Sequence, residues 1–154
     1  MGVFTRMKKE CILLDPKVKD KEQLLRQMTL LLAEHEGAAQ PDQLYEDIMK
    51  REEMGSTCLG KGCAVPHART EALDRTVIAA ARLTPPMKLD SPDDQPVSLI
   101  FLMAGPTASA GLHLKILSKL VRLLNEEPFR EQLLAAPDEE AFYQLLCDKE
   151  SNYG

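Results

Sequence analysis

The sequence has no long apolar run, no closely paired cysteines and no excess of positive charge, and each absence closes off a class of function. No stretch approaches the roughly 20 apolar residues that a bilayer-spanning helix needs, and the opening MGVFTRMKKE lacks the apolar centre of an export signal. Insertion into a membrane is therefore not expected. The cysteines, Cys11, Cys58, Cys63 and Cys147, form no C-x-x-C pair, and three of them sit in apolar surroundings. Reduced thiols in a cytoplasm are expected rather than a disulfide framework. With 19 Lys and Arg against 24 Asp and Glu, the net charge of −5 argues against nucleic acid, whose binding needs clustered cations. An acidic surface favours a basic protein partner instead. No internal repeat and no low-complexity tract interrupts the chain.

What is present suits one domain, residues 1–154 with a core over about 10–148: 44% of its 154 residues are hydrophobic, enough for a core without disulfide or metal. Asp20 is a candidate N-cap, and Leu24, Leu25, Met28, Leu31, Leu32 and His35 keep the spacing of a one-sided helix that Gly37 ends. Pro41 opens a second helix, whose stripe of Leu44, Tyr45, Ile48 and Met49 runs toward Arg51 and closes at Gly55. Gly60 and Gly62 then introduce a short β-compatible run, Cys63-Ala64-Val65, with His67 at its end after Pro66. Two strands are predicted over 76–84 and 96–103, the second apolar on both faces as a covered central strand is. The polar loop MKLDSPDDQ separates them. Past Gly105-Pro106, the loop to Gly111 leads into a helix with the stripe His113, Ile116, Leu117, Leu120, Val121 and Leu124. Two shorter helices, about 129–135 and 138–147, start near Pro128 and Pro137. The pattern is that of an α/β domain with helices packed on a sheet.

The chemistry concentrates around histidines. Pro66 stiffens the approach to His67, and Gly60 and Gly62 let the preceding backbone turn tightly, which holds the imidazole at a sheet edge. Arg69 follows two positions on, and Arg51 can fold back from the end of the second helix, so a negative group on the ring would meet charge-assisted donors. With a pKa of about 6.5, the ring is substantially neutral and can attack phosphorus. The plainer alternative is a structural histidine hydrogen-bonded at a strand end. His113 falls on the inward face of the first turn of its helix, at the positive end where anions are favoured. His35 reads as structural, or as a charge at a helix C-terminus. Zinc held by Cys58, Cys63, His67 and His113 would lack a recognised ligand spacing. A cysteine hydrolase built on Cys63 and His67 is poor too, because four residues along a strand separate them by about 13 Å.

The run Arg51-Glu52-Glu53-Met54-Gly55-Ser56-Thr57, then Leu59-Gly60, Gly62, Ala64 and Val65-Pro66-His67, resembles the signature of the fructose/mannitol-type enzyme IIA of the bacterial phosphoenolpyruvate-dependent phosphotransferase system, including its nitrogen-regulatory branch. Gln95-Pro96-Val97, His113-Leu114, Arg122-Leu123-Leu124 and Phe129-Arg130 extend the resemblance over residues 10–148. It implies a mixed β-sheet flanked by helices on both faces. It also implies that His67 is phosphorylated by the phosphocarrier HPr or a nitrogen-branch counterpart. The group would then pass to a IIB domain, or stay as a signal to a regulatory target protein. On the same ground His113 would support the reacting ring, Arg51 would face it, and Thr57 and Arg69 would bind the phosphoryl group. No metal, nucleotide or other cofactor is implied. Cys58 and Cys63 depart from the small or branched aliphatic residues usual in the family; they read as small apolar fillers with a hint of thiol sensitivity. Sugar uptake and nitrogen regulation both fit the sequence.

Overall fold

The computed structural model describes residues 2–153. In chain order its elements are β1 (Met7–Leu14), α1 (Lys21–Glu36), α2 (Pro41–Glu53), β2 (Cys58–Gly60), β3 (Cys63–Ala64), β4 (His67–Arg69), β5 (Val77–Met87), β6 (Val97–Gly105), α3 (Ala110–Leu124), α4 (Glu127–Ala135) and α5 (Glu139–Tyr153). Short 3-10 turns, Phe4–Arg6 and Thr107–Ser109, lead into β1 and α3.

Local chemistry sets the helix limits. The Asp20 carboxylate accepts the Gln23 N–H at 2.9 Å, meeting one of the four amides that a helix start leaves unpaired. Gly37 ends α1 in the left-handed region at φ 77°, which costs glycine nothing because it has no Cβ. Pro41 occupies the first turn of α2, where its missing N–H is no loss.

The sheet has six strands in the order β1-β5-β6-β3-β2, with β4 also on β6. β5 and β6 pair antiparallel, whereas β1 joins β5, and β3 and β4 join β6, in parallel. Cys63 lies opposite Leu99 and His67 opposite Met103, so β3 and β4 share one register and are two halves of a single track broken at Val65-Pro66. The sequence pattern placed His67 at the end of a strand; it opens β4 instead. Pro66 is the reason, since it has no N–H for the ladder, although its carbonyl still accepts Met103 N–H at 2.9 Å. The expected strand over 76–84 runs on to Met87, and the one over 96–103 to Gly105. β1 and β2 were not expected at all.

Alternation along the strands divides the core in two. On one face Leu24, Leu25, Met28 and Leu32 of α1, with Leu44 and Ile48 of α2, cover Ala79, Ala81, Ile100 and Leu102. On the other, Ile116, Leu120, Leu123 and Leu124 of α3, with Phe129, Phe142 and Leu146, cover Ile78, Ala80, Leu99, Phe101 and Met103. β6 is buried on both sides, which explains its unbroken apolar run. The architecture is the α/β arrangement expected, a mixed sheet with helices on both faces.

Candidate functional site

His67 stands where the broken strand track meets both helical layers. Ala68 packs into the α1–α2 face, so the alternation of β4 sends His67 toward the α3 side. There its ring lies 5.9 Å, centroid to centroid, from the ring of His113, with the two planes inclined at 58°. His67 Nδ1 is 2.8 Å from the carbonyl oxygen of Val65. A carbonyl can only accept, so Nδ1 carries the proton and donates, and in the neutral ring Nε2 keeps its lone pair.

His113 sits in the opening turn of α3, and its stripe with Ile116 and Leu120 turns it inward. It is 4% exposed. Its Nδ1 has no hydrogen-bond partner. Burial above all, then the charges of His67 and Arg69, push its pKa down to about 4, so the ring is neutral near pH 7.

An open cavity of about 510 Å³ joins these rings to Arg51 and Arg69. Arg51 Nη1 donates to the Gly55 carbonyl at 3.1 Å, which draws the guanidinium back over the turn that follows α2. Asp47, Lys50 and Met54 line the same cavity. The intervals 47, 50, 51 and 54 are those of one helical face, so once Arg51 is chosen its neighbours could be found by spacing alone. Asp47 also accepts the Thr70 hydroxyl at 2.7 Å, tying the residue after β4 to α2. Met54, 82% exposed, and Leu114, 66% exposed, form an apolar rim.

The structure thus brings His67, His113, Arg51 and Arg69 together. Thr57 is elsewhere: it lines a separate cavity of about 240 Å³ behind the site, beside Glu52, Cys58 and Pro66. Its hydroxyl donates to Glu52 Oε2 at 2.8 Å. Cys63 packs in the α3-side cluster and Cys58 against the opposite one. Burial raises the Cys63 thiol to about 11, which keeps it protonated and unreactive. All four cysteines are free. Among the described residues no group of three or more His, Cys, Asp and Glu is placed to hold a metal ion. His35 lies at the end of α1 with Nε2 at 3.8 Å from Glu34, outside the site. No helix of the described residues is long and apolar enough to cross a membrane.

Comparison with known proteins gives this geometry its context. Residues 6–149 match the family described as phosphoenolpyruvate-dependent sugar phosphotransferase system, EIIA 2. A nitrogen regulatory protein of Bradyrhizobium diazoefficiens is 35% identical over 138 residues, covering 90% of this chain and 90% of the relative. The fructose-specific EIIABC component of Bacillus subtilis is 33% identical over 147 residues, 95% of this chain but 23% of that longer protein. The crystal structure of nitrogen regulatory protein IIA-Ntr from Neisseria meningitidis superposes with a TM-score of 0.86 at 34% identity, covering 94% of this chain and 98% of that one. Agreement of sequence and fold over nearly the whole chain leads to one conclusion: it belongs to the EIIA 2 family of the phosphoenolpyruvate-dependent sugar phosphotransferase system and is a phosphocarrier component.

Proposed function

We propose that His67 is the residue that carries the phosphoryl group, accepting it from an HPr-type phosphocarrier and passing it to a IIB domain. The observation that supports this most is the 2.8 Å contact between His67 Nδ1 and the Val65 carbonyl beside a second, neutral imidazole. With the proton held on Nδ1, the Nε2 lone pair points outward as a nucleophile. It forms the new N–P bond as the N–P bond of the donor phosphohistidine breaks, and that electron pair returns to the donor ring. The transition state of such a transfer is loose and spreads charge over three equatorial oxygens, so the site's work is positioning and charge stabilisation. Arg69 and Arg51 supply cationic donors, neutral His113 offers a ring N–H, and the first-turn amides of α3 add a directed positive potential. No side chain needs to gain or lose a proton during the exchange, which suits a reversible relay.

A second reading is favoured by the 35% and 34% identities to proteins named for nitrogen regulation. In it, His67 is phosphorylated in the same way, and the roughly two negative charges it gains alter binding of a regulatory target protein. Incubation with phosphoenolpyruvate and the upstream phosphotransferase proteins tests what both readings share. The chain gains one acid-labile phosphoryl group, and His67→Ala gains none; labelling of the His67→Ala protein at a comparable rate would sink the assignment. Onward transfer to a cognate IIB domain then separates uptake from regulation.

A further inference from the structure

Behind the site lies a carboxylate that the chemistry above does not use. Arg51 and Glu52 are successive residues near the end of α2, about 100° apart around the helix, so one lines the His67 cavity and the other the cavity behind it. The Glu52 side chain is 5% exposed, and its Oε1 pairs with Lys21 Nζ at 3.3 Å. Its Oε2 accepts the Thr57 hydroxyl at 2.8 Å. The Thr57 carbonyl in turn accepts Val65 N–H at 3.0 Å. The Val65 carbonyl accepts Nδ1–H of His67 at 2.8 Å. Three hydrogen bonds therefore lead from a buried carboxylate, through Thr57 and the backbone of Val65, to the imidazole.

We infer that Glu52 is a positioning residue for His67. It anchors Thr57, Thr57 holds Val65 by its N–H, and the Val65 carbonyl, in the following peptide, keeps the imidazole proton on Nδ1 so that Nε2 alone is nucleophilic. The sheet holds the residues on either side, with Ala64 paired to β6 and the Pro66 carbonyl accepting Met103 N–H at 2.9 Å, and the chain of contacts adds the hold on Val65 itself. Gly55, at φ 149°, gives the preceding turn a conformation that side-chain-bearing residues rarely adopt, and the Val65–Pro66 peptide that carries the acceptor carbonyl has no N–H of its own to hold it. Loss of the Thr57 anchor leaves the segment 55–57 held through Gly55 by Arg51 and through Ser56 by Asp90, but no longer at Thr57 itself, and the Val65 carbonyl then shifts relative to the ring.

The inference rests on His67 being the phosphoryl acceptor, but its first readout does not require transfer. In protein labelled with nitrogen-15 histidine, the ring-nitrogen shifts of unphosphorylated His67 report which nitrogen holds the proton. The wild type gives the Nδ1–H form. Glu52→Ala and Thr57→Val, checked for an unaltered fold by circular dichroism, bring the Nε2–H form to comparable population and slow acceptance from the phosphocarrier about tenfold. Glu52→Gln and Thr57→Ser, which still offer an acceptor and a hydroxyl, recover the wild-type spectrum and rate. Wild-type spectra in folded Glu52→Ala and Thr57→Val would overturn the inference, and so would slowed transfer with an unchanged tautomer. Should Glu52→Ala fail to fold, the Thr57→Val and Thr57→Ser pair decides alone. Absence of phosphate on wild-type His67 would instead remove the acceptor assignment and leave the tautomer comparison standing.

Discussion

His113 is enclosed by the α3 layer with its Nδ1 unpartnered, so a proton added there would create a charge with nothing to balance it. Burial first, and then the nearby charges, hold its pKa at about 4 against an ordinary 6.5. Between those values the unfolded chain binds more protons at this position than the folded one, so stability falls as the pH drops from 6.5 toward 4. The expected loss is roughly 1–3 kcal/mol, measured by urea unfolding at a series of pH values, and His113→Asn removes that segment of the profile. A His113 that titrates near 6.5 by NMR would contradict the assignment. His67 and His113 were both legible in the sequence because they lie in short motifs whose chemistry is local. The neutral state of His113 was not, because it depends on how completely α3 covers it.

Between elements, the buried Arg82 of β5 shows how one side chain can finish another element. Its guanidinium binds Asp15 at 2.8 and 3.3 Å, and its Nη1 reaches the carbonyls of Leu133 at 3.2 Å, Leu134 at 3.3 Å and Ala136 at 2.6 Å. Those carbonyls lie at the end of α4, which has no basic residue in its own last turn, so Arg82 serves as its C-terminal cap from across the core. Arg82→Met should lower the unfolding free energy by about 3 kcal/mol and fray α4, visible as faster amide exchange over 130–136. Arg82→Lys should recover little of this, because an ammonium cannot span carboxylate and carbonyls together. An unchanged midpoint would show that the cap contributes nothing. Nothing in the sequence marks Arg82 for this role, since its partners lie 51–67 residues away. α1 and α2 were legible for the opposite reason: Asp20, Gly37 and Pro41 act within a turn of themselves. β1 was hidden because Lys8, Lys9 and Glu10 stand exposed in its middle, where the pairing slips between Met7 and Ile12 and breaks the alternation that marks a strand.

At the scale of the whole molecule, the two ends of the chain are fastened together by Glu150 of α5. Its carboxylate accepts the N–H groups of Val3 at 2.6 Å and Phe4 at 2.9 Å, and it pairs with Lys119 of α3 at 3.0 Å. Burial alone would raise its pKa, but these donors outweigh it and bring the carboxyl below the ordinary 4.5. A depressed carboxyl pKa gives stability that is present above 4.5 and lost as the pH falls below it, so Glu150→Gln should flatten the acid limb of the unfolding profile. The same substitution should lower stability at pH 7 by about 1–2 kcal/mol by calorimetry, because the amide accepts the two N–H groups less strongly than a carboxylate. A wild-type acid limb in that variant would show the fastening to be idle. The mixed sheet between two helical layers followed from the resemblance and from the apolar runs, whereas a contact between residues 3 and 150 is beyond any local pattern. The rim of Met54 and Leu114 bears on how such a molecule works. The cavity they border is shallow and has no cover of its own, so water reaches His67 freely until another surface arrives. If His67 exchanges its phosphoryl group as proposed, each copy holds half of a reaction chamber. On the proposed relay, the dry surroundings that sharpen charge stabilisation would come into being only while the second half is seated on those two apolar side chains, and would vanish when it leaves.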